Sequence, residues 1–205
     1  MPLQNRVQPD GEILADPTRG LFMGNRGILH DAARTLGKAR WRHKAWVTCL
    51  LAFKGRHRNV MAPNRYTELF FLDEAVAFAA GHRPCAECRR ADYTRFRAAA
   101  GITSKIAAFD TDLHQHRAVP RHYAQRRHQA PAATLPEGAF ILSQEGIPQL
   151  LMRDALLPYA PSGYGAPVSR KGLGEVTVLT PEPLLVALRE GYRLTLSTGA
   201  DRPRT

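Results

Sequence analysis

Apolar positions along this chain change period several times, and the changes divide it into short elements. Residues 46–53 (WVTCLLAF) and 66–72 (YTELFFL) are rich in β-branched and aromatic side chains and predict strands. The turn KGRHRN lies between them, and residues 60–63 predict a short partner strand. The period then lengthens. Asp73 is a natural N-cap, Glu74 suits the first turn, DEAVAFAA is helical and Gly81 ends the helix. A second helix follows at residues 89–100, with Tyr93, Phe96 and Ala100 on one stripe and Gly101 as its stop. Farther on, GAFILSQEGIPQLLM predicts a β-hairpin turning at residues 144–146. EVTVLTP predicts a strand, and residues 183–191 (PLLVALREG) an amphipathic helix.

Other stretches show little periodicity. Residues 1–20 carry Pro2, Pro9 and Pro17 and predict a flexible lead-in. LLPYAPSGYGAP has turn residues at nearly every step, and residues 202–205 are expected to fray. The expected fold class is α+β: a small mixed sheet and short helices around a Cys-x-x-Cys knuckle, with a β-rich C-terminal part. The division this predicts is a lead-in over 1–20, a knuckle domain with a basic loop over 21–130, and a β-rich subdomain over 131–200.

Composition narrows the classes. Lys and Arg number 29 against 18 Asp and Glu, a formal charge of +11, which sets up a field that attracts polyanions, above all nucleic acid. No apolar run is long enough to span a bilayer, so no membrane partner is expected. The N-terminal residues lack the charged-then-apolar order of a secretion signal, and a cytoplasmic location is the expectation.

The candidate chemistry centres on Cys85-Ala86-Glu87-Cys88. Thiols three positions apart, in a chain with three cysteines in all, point to metal ligation more than to a disulfide framework. A redox pair is the alternative reading; such a pair follows a strand with its first cysteine at a helix N-terminus, whereas here a helix and Gly81 precede the motif. Tetrahedral zinc wants four ligands. Cys49 is the remaining thiol and the expected third ligand, against the alternative of a buried strand cysteine. His114 is the expected fourth, with His30, a carboxylate or water as alternatives.

Residues 68–88, ELFFLDEAVAFAAGHRPCAEC, resemble the metal-binding domain of Ada-type alkylation-repair proteins. The matching positions are Glu74, Ala75, Ala79, Ala80, Gly81, Arg83, Pro84, Cys85 and Cys88. The resemblance implies a zinc fold and a nucleic-acid context. That family completes its site with an upstream Cys-x-x-x-Cys; here Cys49 is followed by Leu-Leu-Ala-Phe, with no second upstream thiol.

Residues 105–130 are the most basic stretch and hold four of the eight histidines. Arg121, Tyr123, Arg126 and Arg127 are candidates for phosphate tracking and base stacking, with a solvated loop as the alternative. Arg83, Arg89 and Arg90, flanking the cysteines, complete the expected nucleic-acid set. Asp110, Asp112, His114 and His116 (FDTDLHQH) are a weaker hydrolytic metal candidate. GNRG and PSGYGAP match no phosphate-loop spacing. Three functions follow: a nucleic-acid-binding protein with structural zinc; a zinc enzyme, whether a nuclease, another hydrolase or an alkyl acceptor; or a scaffold whose zinc only ties the N-terminal β-hairpin to the knuckle.

Overall fold

The computed structural model describes residues 1–57 and 59–197. The chain is α+β, with two sheets enclosing one short helix. The first sheet has the order β2-β1-β5-β3-β4-β6, where β1 is Gln4–Val7, β2 Ile13–Ala15, β3 Phe22–Asn25, β4 Val47–Leu50, β5 Leu69–Phe71 and β6 Arg83–Pro84. It is mixed: β1 runs parallel to β5 and β4 parallel to β6, while the other pairs are antiparallel. Residues 1–20 are therefore not a loose lead-in. Val7 and Ile13 are buried, and it is β5, far along the chain, that supplies the pairing a local reading lacks. Residues 60–63 turn and form no strand.

Helix α1 (Glu74–Ala79) forms where the caps predicted it. Asp73, extended at φ −152°, accepts the Val76 N–H at 3.0 Å, and Gly81 leaves the helix at φ +80°. All six residues of α1 are buried. Its small side chains let both sheets approach, so Val7, Leu69 and Phe71 of the first share a cluster with Ala75, Ala79, Phe140 and Leu150. Each large apolar side chain buried this way contributes about 1.5–3 kcal/mol.

Helix α2 (Arg90–Ala99) buries Tyr93 and Phe96, as their stripe predicted. Helix α3 (Ile106–Arg117) occupies much of what read as a basic loop, and the side chains it buries are Asp110, Leu113 and Arg117. Strands β7 (Ala118–Val119) and β8 (Ala124–Gln125) form a small hairpin that orders the rest of that stretch.

The second sheet combines β9 (His128–Pro131), β10 (Phe140–Leu142), β11 (Pro148–Leu151), β12 (Ala155–Ala160), β13 (Gly163–Tyr164), β14 (Val168–Ser169) and β15 (Glu175–Val178). Its order is β13-β12-β11-β10-β15-β9, with β14 on β12, and every pair is antiparallel. The hairpin β10–β11 and strand β15 match their predictions. Helix α4 (Glu182–Arg189) buries Leu184, Leu185, Ala187 and Leu188 in a second cluster with Phe78, Phe96, Leu113 and Ile141. Strand β9 straddles the expected boundary at residue 130, and residues 202–205 lie outside the described residues. No helix among the described residues is long and apolar enough to cross a membrane.

Candidate metal centre

Two segments far apart in sequence deliver three thiols to one place. Strand β4 carries Cys49 and pairs in parallel with β6, in the register Val47↔Arg83 and Thr48↔Pro84. The Cys85 N–H then donates to the Thr48 carbonyl at 3.0 Å, which sets Cys85 beside Cys49. β4 is itself held close against β3 because residue 24 is glycine: a Cβ there would lie 2.2 Å from the Val47 carbonyl oxygen. After Pro84 the chain turns through the knuckle, and Cys88 comes back toward the first two.

The ligand atoms of Cys49, Cys85 and Cys88 all lie within 4.8 Å of one another, each residue half-buried. Thiolates around one tetrahedral zinc at about 2.3 Å stand roughly 3.8 Å apart. The three sulfurs need only a small inward shift to reach that geometry. Three thiols, one of them from a separate strand, also fit a metal better than a two-cysteine redox pair. The short strand β6 does precede the motif, but α2 begins at Arg90, beyond Cys88, so the first cysteine does not sit at a helix N-terminus.

The electrostatics already favour one thiolate. The Cys85 thiol is pulled down to about 5, first by the hydrogen bond from Cys49 and then by backbone N–H groups of Cys88 and Glu87, against a desolvation that raises it. Cys49, as the donor to Cys85 and partly buried, is pushed up strongly. Burial also raises Cys88, partly offset by the Leu50 backbone N–H. A bound cation would draw the protons from all three, since the thiolate is the ligating form. Over the knuckle, Arg56 and Glu87 form an ion pair across the surface and tie the 51–57 loop to the Cys-x-x-Cys turn.

The expected fourth ligand stands elsewhere. Among the described residues, the group of mutually close donors is the three cysteines alone. His114 packs its ring edge-on against Trp41 and Trp46, with centroids at 5.4 and 5.6 Å. His30, the alternative, is buried with Nδ1 2.6 Å from the Thr67 hydroxyl. Nor do Asp110, Asp112, His114 and His116 gather: Asp110 is taken by Arg83, and Asp112 faces His116 at 3.7 Å on the helix surface.

The expected nucleic-acid residues divide. Arg83 is buried and grips Asp110 through Nε and Nη2, both at 2.7 Å, and Arg89 is buried against Glu74 and Asp92 at 2.8 Å. Neither presents its charge to a polyanion; their neighbours in sequence hid carboxylate partners contributed by α1, α2 and α3. Arg90, Arg121, Tyr123, Arg126 and Arg127 are exposed and remain available. Comparison with known protein families, with curated proteins and with solved structures finds no match to this chain.

Proposed function

We propose that this chain is a zinc protein that binds nucleic acid, with the metal fastening β4 to the knuckle. The observation that carries the metal is the convergence of Cys49, Cys85 and Cys88 within 4.8 Å. Thiolates select soft or borderline ions, and zinc is the ordinary occupant of such a site in a chain of this kind. The resemblance of residues 68–88 to Ada-type metal-binding domains supports the same reading. The nucleic-acid half rests on the charge of +11 and on the exposed Arg90, Arg121, Tyr123, Arg126 and Arg127.

A second reading, a zinc enzyme or alkyl acceptor, is favoured by one observation. Three half-buried protein donors leave a fourth position for water or substrate, as reactive zinc requires. Metal content and polynucleotide binding test both. The first reading expects one zinc per chain, lost in Cys49→Ser and Cys85→Ser. It also expects affinity for DNA or RNA that falls steeply with salt, with a slope of about −0.9 per phosphate neutralised on duplex DNA. The triple variant Arg121→Ala, Arg126→Ala, Arg127→Ala should reduce that slope by roughly two to three. Wild-type protein without zinc overturns the metal assignment, and absent or salt-independent binding overturns the nucleic-acid assignment. Zinc retained with a rapidly alkylating cysteine moves the choice to the second reading.

A further inference from the structure

Away from the cysteines, three buried arginines, Arg6, Arg26 and Arg117, form no ion pair among the described residues, and two of them share one site. Arg26 and Arg117 are 2% and 1% exposed, and their guanidinium carbons lie over the Trp46 ring, 4.3 and 3.9 Å from its centre. Arg26 donates to His82 Nε2 and to the Ala80 and Gly11 carbonyls, at 3.4, 3.4 and 3.5 Å. Arg117 donates to the Gly81 and Lys44 carbonyls, and its Nε is buried with no partner. Among the described residues no carboxylate forms an ion pair with either; Asp110, which attracts Arg117, is engaged by Arg83.

Carbonyl dipoles offset part of this charge, but two neighbouring cations in a low-dielectric interior repel each other and are costly to bury unless an anion joins them. The strain shows in both groups. Burial, then Arg40, pulls Arg26 down to about 9, and burial, then Arg26, pulls Arg117 well below its ordinary value.

The two arginines line one pocket. Its open space is about 20 Å³, room for one water or a single oxygen of a larger anion, and the figure reaches about 330 Å³ only when the solvent-open space before it is counted. Arg40 adds a third cation to the lining, and Trp41 and Tyr123 also line it, in edge-on contact with ring centres 5.0 Å apart. Tyr123 is held in the left-handed region at φ +51°, a strained backbone for an aromatic residue, of the kind found where a side chain is aimed for function. Asp10 and Glu12 also line the pocket. These carboxylates disfavour a polyanion lying across the opening, and so favour a ligand that offers a single charged end to the floor.

From this we infer that the Arg26–Arg40–Arg117 pocket takes one phosphate oxygen of a nucleotide, with the rest of the phosphate at its opening beside Arg40 and the base against Trp41 and Tyr123. The site is separate from the metal centre, and the inference holds whether or not the protein also tracks longer strands. The nucleotide is either free or the phosphorylated end of a strand.

The chain has two tryptophans, Trp41 and Trp46, and both belong to this site, so intrinsic fluorescence reports on it directly. Full-length protein is titrated with adenosine 5′-monophosphate, adenosine, inorganic phosphate, and a single-stranded oligonucleotide with or without a 5′-phosphate. The expected result is saturable change with the monophosphate, none with adenosine at the same concentrations, and weaker binding of inorganic phosphate. Arg40→Ala, at the half-buried edge, should weaken the monophosphate about tenfold or more, the loss of one charge-assisted hydrogen bond. Tyr123→Ala, on the surface, should weaken the monophosphate and leave inorganic phosphate unchanged. Tighter binding of the 5′-phosphorylated oligonucleotide than of the monophosphate identifies the strand end as ligand; the reverse order identifies the free nucleotide. No response to any phosphate-bearing probe, or equal binding of adenosine and its monophosphate, overturns the inference.

Discussion

Asp110→Ala should be among the most damaging single substitutions on α3. The Arg83–Asp110 pair has side chains 6% and 5% exposed and is bidentate, with both contacts at 2.7 Å. Removing the carboxylate leaves the Arg83 guanidinium buried; its remaining contacts are the Pro84 carbonyl at 3.2 Å and the Tyr93 ring at 5.8 Å. Breaking such a buried pair costs about 3–5 kcal/mol. At roughly 2–4 °C per kcal/mol for a chain of this size, Tm should fall by about 6–20 °C. The main reason is the orphaned Arg83 cation and not a net attraction, so the double variant Arg83→Met, Asp110→Leu should recover much of the loss, less the attraction that Asp110 also exerts on Arg117. Thermal unfolding followed by circular dichroism on wild type, both single variants and the double variant completes the cycle. A single variant melting within about 2 °C of wild type would refute the reasoning. So would a double variant no more stable than the worse single one. Because Arg83 begins β6, which sets Cys85 beside Cys49, the single variants should also hold a metal at the three cysteines less tightly than the double one.

Three other outcomes are expected. In metal-stripped protein, Cys85 should be carboxymethylated well before Cys49, and should stay reactive down to about pH 5, where half of its thiolate is protonated; peptide mapping reads this directly. His114 is lowered to about 4 by burial and then by Arg117, so between that value and 6.5 the unfolded chain binds the extra proton, and stability falls as pH drops through this window. Melting from pH 7 to 4 should show that loss, and His114→Phe should reduce it without changing the metal content, the remainder coming from His82, His43 and His128, which are lowered by burial in the same sense. Gly81→Ala combines a φ of +80° with a Cβ 2.5 Å from the Arg117 side chain, so it should destabilise by more than the roughly 1 kcal/mol of the backbone effect alone, measured by urea unfolding.

What the sequence disclosed and what it hid follow one physical line. α1 was legible because its determinants are local: Asp73 caps it and Gly81 releases it within nine positions. The third thiol was legible from ligand arithmetic, though the register that delivers it, Val47 against Arg83, is a long-range fact. α3 stayed hidden because its buried face is Asp110, Leu113 and Arg117; polar residues on the inner stripe erase the apolar period. Their burial is made tolerable by Arg83 and by carbonyls of residues 44 and 81, which no local window contains. β1 and β2, among prolines, depend likewise on β5, and β12 carries Pro158 within a run that reads as turns. The Arg26–Trp46–Arg117 cluster has three sources in the chain and no motif of its own.

The way α1 is neutralised bears on how the chain is made. Glu74 accepts from the Tyr192 hydroxyl at 2.8 Å and the Thr195 N–H at 2.9 Å, and Asp73 from the Tyr164 hydroxyl at 2.8 Å and the Ser197 N–H at 3.1 Å. Tyr192 follows Glu74 by 118 residues, roughly 6–24 s of synthesis at ordinary ribosomal rates. Arg89, 15 residues after Glu74, offsets its charge early, but the remaining acceptor positions of Glu74 and Asp73 stay hydrated through that interval, so the final closure around α1 waits for residues 164–197 to be made.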